Sequence, residues 1–170
     1  MKTRLFIIMA FFLPVIFWGC SSQKTTKAML ESPYNYEIQN LGVGEEGTKL
    51  VKVWGYDKKA DKAMMKAERN AVAAAVFRGI PAGNGSAKTP PLCSEHNCYE
   101  KYQKFYDDFL KPGGKYLQFV NLTNDGMPGG ADRIKMQKGY KVAVKASIAH
   151  SNLRAYLEEE GMIKRLDSGF

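Results

Sequence analysis

Three cysteines are the first residues to test for chemistry. Cys93 and Cys98 stand in a C-x4-C spacing with His96 between them. A structural zinc site needs four ligands. The sequence offers one further histidine, His150, and no second cysteine pair, so no metal and no cofactor are expected. A redox pair favours the C-x-x-C spacing, and a cysteine nucleophile needs a free thiol beside a base. In an oxidising compartment a disulfide between Cys93 and Cys98 is the natural outcome. The segment "GNGSAKT", Gly83 to Thr89, has the outline of a phosphate loop. Ala87 stands where a glycine should precede Lys88, and the segment follows a helical pattern instead of a strand. Glu158, Glu159 and Glu160 are consecutive, so on a helix they point in different directions and form a solvated face, not an acid/base pair. Trp54 can stack on a sugar ring; Trp54 and His96 are the candidate ligand-contact residues. No nucleophile or acid/base set converges, and the expectation is a protein that is not an enzyme.

Cys20 raises a different chemistry. Lys2 and Arg4 precede an uninterrupted apolar run from Leu5 to Trp18, followed by Gly19 and Cys20. Fourteen residues fall short of the roughly 20 needed to span a bilayer and fit the hydrophobic part of a secretory signal. The end of the run, "FWGC", resembles the bacterial lipobox, in which a cysteine after small residues is lipidated; Phe17 and Trp18 depart from it. The expectation is a signal peptide over 1–19 and lipidation of Cys20, with the membrane as a partner through that lipid. Ser21 follows the cysteine, with no aspartate there and no acidic run after it. By lipoprotein sorting patterns this implies the outer membrane and its periplasmic leaflet.

Charge fits that address. Without Lys2 and Arg4, 23 basic residues face 17 acidic ones, a formal +6. Export argues against nucleic acid as the partner of this basic balance. Anionic lipid, lipopolysaccharide, glycan or plain solvation remain open.

These residues need elements to hold them. Residues 20–33 read as a polar tether and 34–170 as one domain, a size that suits a single core. "YEIQNLGV" and "TKLVKVWGY" flank "GEEG" and read as a hairpin; the second run is apolar on both faces, as a central strand is. "DKKADKAMMKAERNAVAAAVFRGI" reads as a helix capped by Asp57. Ala60, Met64, Ala67, Ala71, Ala74 and Ala75 lie on its buried side, with Lys59, Lys62, Lys66 and Arg69 outside. A long loop over 83–98 precedes a short helix, "YEKYQKFYDDFLK", with its stripe of Tyr99, Tyr102, Phe105, Tyr106 and Phe109. "KYLQFVNL" reads as a strand, 123–132 as a loop, and "RIKMQKGYKVAVKASIA" as one long strand. "NLRAYLEEE", capped by Ser151, is the last helix. The order β-β-α-α-β-β-α predicts an α+β, two-layer sandwich, with helices on one face of a mostly antiparallel sheet.

The segments "GTKLVKVWGYDKKADKAMMKAERNAVAAAVFRGI", "EKYQKFYDDFL" and "KGYKVAVKASIAHSNLRAYLEEEGMI" resemble a family of uncharacterised envelope lipoproteins of Bacteroides-type bacteria. More distantly they are similar to small envelope lipoproteins and to the N-terminal domain of a flagellar outer-membrane ring protein. Gly55, Ala60, Ala67, Arg69, Asn70 and Ala71 carry the pattern. The resemblance implies a binding or assembly module with an envelope protein partner and carries over no catalytic residue. The alternative is a ligand- or glycan-binding accessory protein that uses the loops 83–98 and 123–132 as a pocket rim.

Overall fold

The computed structural model describes residues 37–123 and 126–165. The expected signal peptide over 1–19, Cys20, the expected tether over 20–33 and Tyr34 to Tyr36 lie outside the described residues. Two strands, β1 (Ile38–Val43) and β2 (Lys49–Asp57), open the fold as an antiparallel hairpin. Helix α1 (Ala60–Ala73) follows and runs on through a wider π turn over Ala74–Arg78. Two short helices, α2 (Cys98–Lys101) and α3 (Gln103–Phe109), precede a small strand, β3 (Val120–Leu122). Strands β4 (Arg133–Met136) and β5 (Gly139–Ile148) then form a hairpin, and α4 (His150–Glu159) ends the domain.

The sheet is antiparallel throughout. β2 lies between β1 and β5, and the far edge of β5 is shared by β3 at one end and β4 at the other. The helices cover one face, giving the two-layer α+β sandwich that the element order predicts. Alternation decides what lies beneath them. Val51 and Val53 of β2, with Val142, Val144, Ala146 and Ile148 of β5, are buried on this face. Ala63, Ala67 and Ala71 of α1 and Ala74 at the start of the π turn are fully buried, as are Leu153 and Leu157 of α4.

Gly55 sets the depth of the helix. A Cβ built on it would lie 2.0 Å from the carbonyl oxygen of Ala63 and 2.5 Å from the amide nitrogen of Ala67. Only a residue without a side chain lets the backbones of α1 and β2 approach so closely. The buried Asn70 fixes the same contact, donating from its side-chain amide to the carbonyl of Trp54 at 3.1 Å.

Five details depart from the sequence expectation. Asp57 is the last residue of β2, not a helix cap. The residue before the helix is Lys59, with no side-chain cap. The carboxylate of Asp57 instead pairs with Lys66 at 2.7 Å. Burial works to raise the pKa of Asp57, but the Lys66 ammonium and the amides of Lys58 and Lys59 outweigh it and hold the group below its ordinary range. On α1, Ala60 and Met64 are only half-buried, and the innermost positions are Ala63 and Ala67. Residues Lys115–Phe119 form a 3-10 turn, so the strand shrinks to Val120–Leu122. The long strand over 133–148 folds back as a β4–β5 hairpin, because Gly139 adopts φ +128°, a conformation that side chains disfavour. Finally, α4 begins at His150 without a cap from Ser151.

The cysteine loop has a backbone role. The last carbonyls of a helix lack intrahelical partners. Those of Ala75 and Val76 accept hydrogen bonds from the amides of Leu92 and Cys93 at 3.0 and 2.9 Å. Cys93 is bonded to Cys98, with S–S 2.02 Å, and both are buried. The disulfide therefore ties the segment that caps α1 to the start of α2. Beneath it the aromatic stripe is core material. Tyr106 and Phe109 are buried, Phe77 meets Tyr106 edge-on at 4.7 Å, and Tyr156 packs on Phe109 and Phe119 at 5.7 and 5.2 Å.

Candidate functional site

The second face of the sheet has no helix over it among the described residues. The side chains that alternate onto it follow from the register. Lys52 is opposite Lys145, Trp54 opposite Ala143, and Tyr56 opposite Lys141. On the β1 side Gln39 is opposite Lys52, and the amide of Trp54 donates to the carbonyl of Glu37 at 3.1 Å. On the hairpin side Ile134 is opposite Lys141 and Met136 opposite Gly139. Ala143 is buried although it lies on this open face. Its methyl is small enough to leave the indole of Trp54 room across the strand.

Trp54 is half-buried, and two ammoniums lie over its ring: Lys52 at 5.3 Å and Lys141 at 5.4 Å from the ring centre. Lys141 also stands over Tyr56 at 5.5 Å. Cation–π attraction orders this row. Each of these two lysines has a carboxylate as well. Lys52 pairs with Asp132 at 2.5 Å, which brings the end of the 123–132 loop onto the face. Lys141 pairs with Glu37 at 2.5 Å, and the Tyr56 hydroxyl donates to the same carboxylate at 3.2 Å. Burial works to lower the Lys141 ammonium, but hydrogen bonds to Glu37 and Tyr56 outweigh it and raise the group above its ordinary value. Burial raises Tyr56, and Lys141 offsets part of that rise.

Lys145 differs. It is exposed, and no carboxylate among the described residues pairs with it. Like charges directly opposite each other on neighbouring strands repel, so Lys52 and Lys145 form a basic pair that, among the described residues, Asp132 alone offsets. Two aliphatic side chains border the row, Ile134 at 47% and Met136 at 37% exposure.

No protein-family model, curated protein or solved structure matches this chain. The likeness to envelope lipoproteins therefore rests on the quoted residues alone.

The structure does not bring the two sequence-derived contact residues together. Trp54 lies on the open face, whereas His96 is exposed in the disulfide loop on the helical side. The loop over 83–98 runs along the helical layer and the β1 edge, where Asn84 donates to the carbonyl of Asn40 at 3.0 Å. Among the described residues it lies at the β1 edge, whereas the 123–132 loop follows β3 at the other end of the strand order. Among the described residues a shallow, open depression is lined by Gln103, Lys104, Asp107 and Asp108, all exposed on α3. Among the described residues no three His, Cys, Asp or Glu side chains group as metal ligands. Lys52, Lys141 and Lys145 escaped the sequence reading as members of a site. The alternation of β2 placed Lys52 beside Trp54, but only the β2–β5 register adds the other two.

Proposed function

We propose that this chain is a non-enzymatic lipoprotein of the outer membrane, anchored at Cys20 and facing the periplasm, whose α+β domain is a binding module. The observation that carries this reading is the open sheet face, where Trp54 and Tyr56 lie among three lysines and no helix among the described residues covers them. An ordinary two-layer sandwich exposes a polar outer face. A half-buried indole and exposed aliphatic residues on such a face mark a contact surface. The glycan-handling alternative has less support, because Lys52 and Lys141 already lie over the indole that a sugar ring would need.

Two measurements test this. Radiolabelled palmitate should enter the protein in cells, and Cys20→Ser should abolish the labelling and leave the chain as precursor or soluble. Failure of the wild-type chain to take up label removes the anchor. A photo-crosslinker at Gln39, on the open face, should form adducts in intact envelopes, whereas one at Lys104, on the helical layer, should not. Adducts at Lys104 alone would place the contact surface on the wrong layer.

A further inference from the structure

We infer that the open sheet face lies against an anionic lipid surface, with Lys145 and Lys52 meeting headgroup phosphates and Ile134, Met136 and Trp54 entering the interface. The inference rests on the lipid-anchored reading above and names what that face touches.

Charge is the first argument. The Lys52–Lys145 pair opposes like charges across β2 and β5, and among the described residues Asp132 is its one counter-charge. Such a pair is unfavourable in the isolated domain and is relieved by negative charge from outside. Near an anionic membrane each lysine adds attraction worth about fivefold in binding.

Composition is the second argument. Exposed aliphatic side chains, a tryptophan and a tyrosine set among lysines are the mixture that settles at a bilayer interface. Ile134 is the cross-strand neighbour of Lys141, so apolar and cationic groups alternate across one face.

Position is the third. Glu37, the first described residue, is itself part of the face through its bond to Lys141. Cys20 precedes it by 17 residues, a contour of at most about 60 Å. A lipid on Cys20 thus keeps the face within reach of the bilayer and raises its local concentration there.

Trp54 reports on the test directly. The chain has two tryptophans, and the other, Trp18, lies before Cys20, so on the lipid-anchored reading it leaves with the signal peptide. The native lipoprotein is reconstituted in vesicles of phosphatidylcholine alone, or of phosphatidylcholine with phosphatidylglycerol. Quenching of Trp54 fluorescence by lipids brominated on their acyl chains is then measured. Quenching is expected in the anionic vesicles and should fall to the neutral level in about 0.5 M salt, where screening shortens the Debye length to a few ångströms. Lys145→Glu should weaken docking by at least about fivefold, and Ile134→Ser should weaken it without changing its salt dependence. Equal quenching in neutral and anionic vesicles, or no effect of Lys145→Glu, overturns the inference. A protein adduct with no lipid adduct at the Gln39 crosslinker also overturns it, while leaving the binding-module reading standing. Absence of palmitate label removes the anchor but leaves the vesicle result to be read on its own.

Discussion

Gly55→Ala is the sharpest test of how the helical layer sits on the sheet. The new methyl carbon would lie 2.0 Å from the Ala63 carbonyl oxygen, whereas ordinary contact begins at 3.4 Å. About 1.4 Å must be found, and the three obstructing atoms, the Ala63 oxygen and the Ala67 nitrogen and Cα, are all backbone, so no rotamer change absorbs it. β2 cannot recede freely, because it is hydrogen-bonded to β1 and to β5. Helix α1 must lift instead, against the Asn70–Trp54 bond and the alanine face packed on Val51, Val53, Val142 and Val144. A gap of 0.5–1 Å forfeits about a quarter to a half of each dispersion contact. The expected loss is about 3–5 kcal/mol, the size of a large core deletion. Replacing glycine also restricts the unfolded chain and stabilises by about 0.4–1 kcal/mol, too little to reverse the sign. With a urea slope of about 1–3 kcal/mol/M, the midpoint should fall by roughly 2 M. Gly129→Ala is the control. Its Cβ would meet nothing within 4 Å, and its φ of −122° suits any residue. That variant should stay within about 0.5 kcal/mol of the parent. A Gly55→Ala protein that unfolds at the parent midpoint would refute the close approach of α1 and β2.

Other expectations are independent of that one. Ala71→Leu, beneath α1, should cost about 1–3 kcal/mol by overpacking, whereas Lys62→Leu on the exposed side should change stability by less than about 0.5 kcal/mol; equal urea midpoints would mean that the wrong face has been set against the sheet. Alkylation without reductant should find Cys93 and Cys98 blocked, and replacing both by serine should cost about 2 kcal/mol, the low end expected for so short a loop; two free thiols in untreated protein would contradict the bond. His150 has a buried Nε2 with no hydrogen-bond partner among the described residues. Burial first, then the positive charges of Lys49 and Arg154, hold its pKa below the ordinary value. The unfolded chain therefore binds the proton more readily, so this contribution is complete above about pH 6.5 and is lost as pH falls through the depressed folded value. His150→Gln should flatten that acid-side decline in urea midpoints taken over a pH series; an unchanged decline would assign it to other groups.

The layers of the fold were legible because they depend on local periodicity. The alternation of "TKLVKVWGY" fixed which side chains share a face of β2, and the alanines of "AMMKAERNAVAAA" fixed a thin buried side on the helix. The hairpin at Gln137 and Lys138 was not legible, because every residue from Arg133 to Ile148 other than Gly139 is compatible with an unbroken strand. Asp57 looked like a cap because it precedes a helix, yet β2 runs through it to pair with Tyr140, so tertiary pairing overrode a local preference.

The sequence by itself determined most of the element types and the cysteine pair, since these follow from spacing along the chain. It also placed Lys52, Trp54 and Tyr56 on one side of one strand. Only the tertiary structure decided that Lys141 and Lys145, nearly ninety residues away in the chain, stand beside them. Register between distant strands is set by what the opposite face must bury, here the valines that meet α1. The open face inherits that register, so its row of aromatic and basic side chains forms only when β2 and β5 pair.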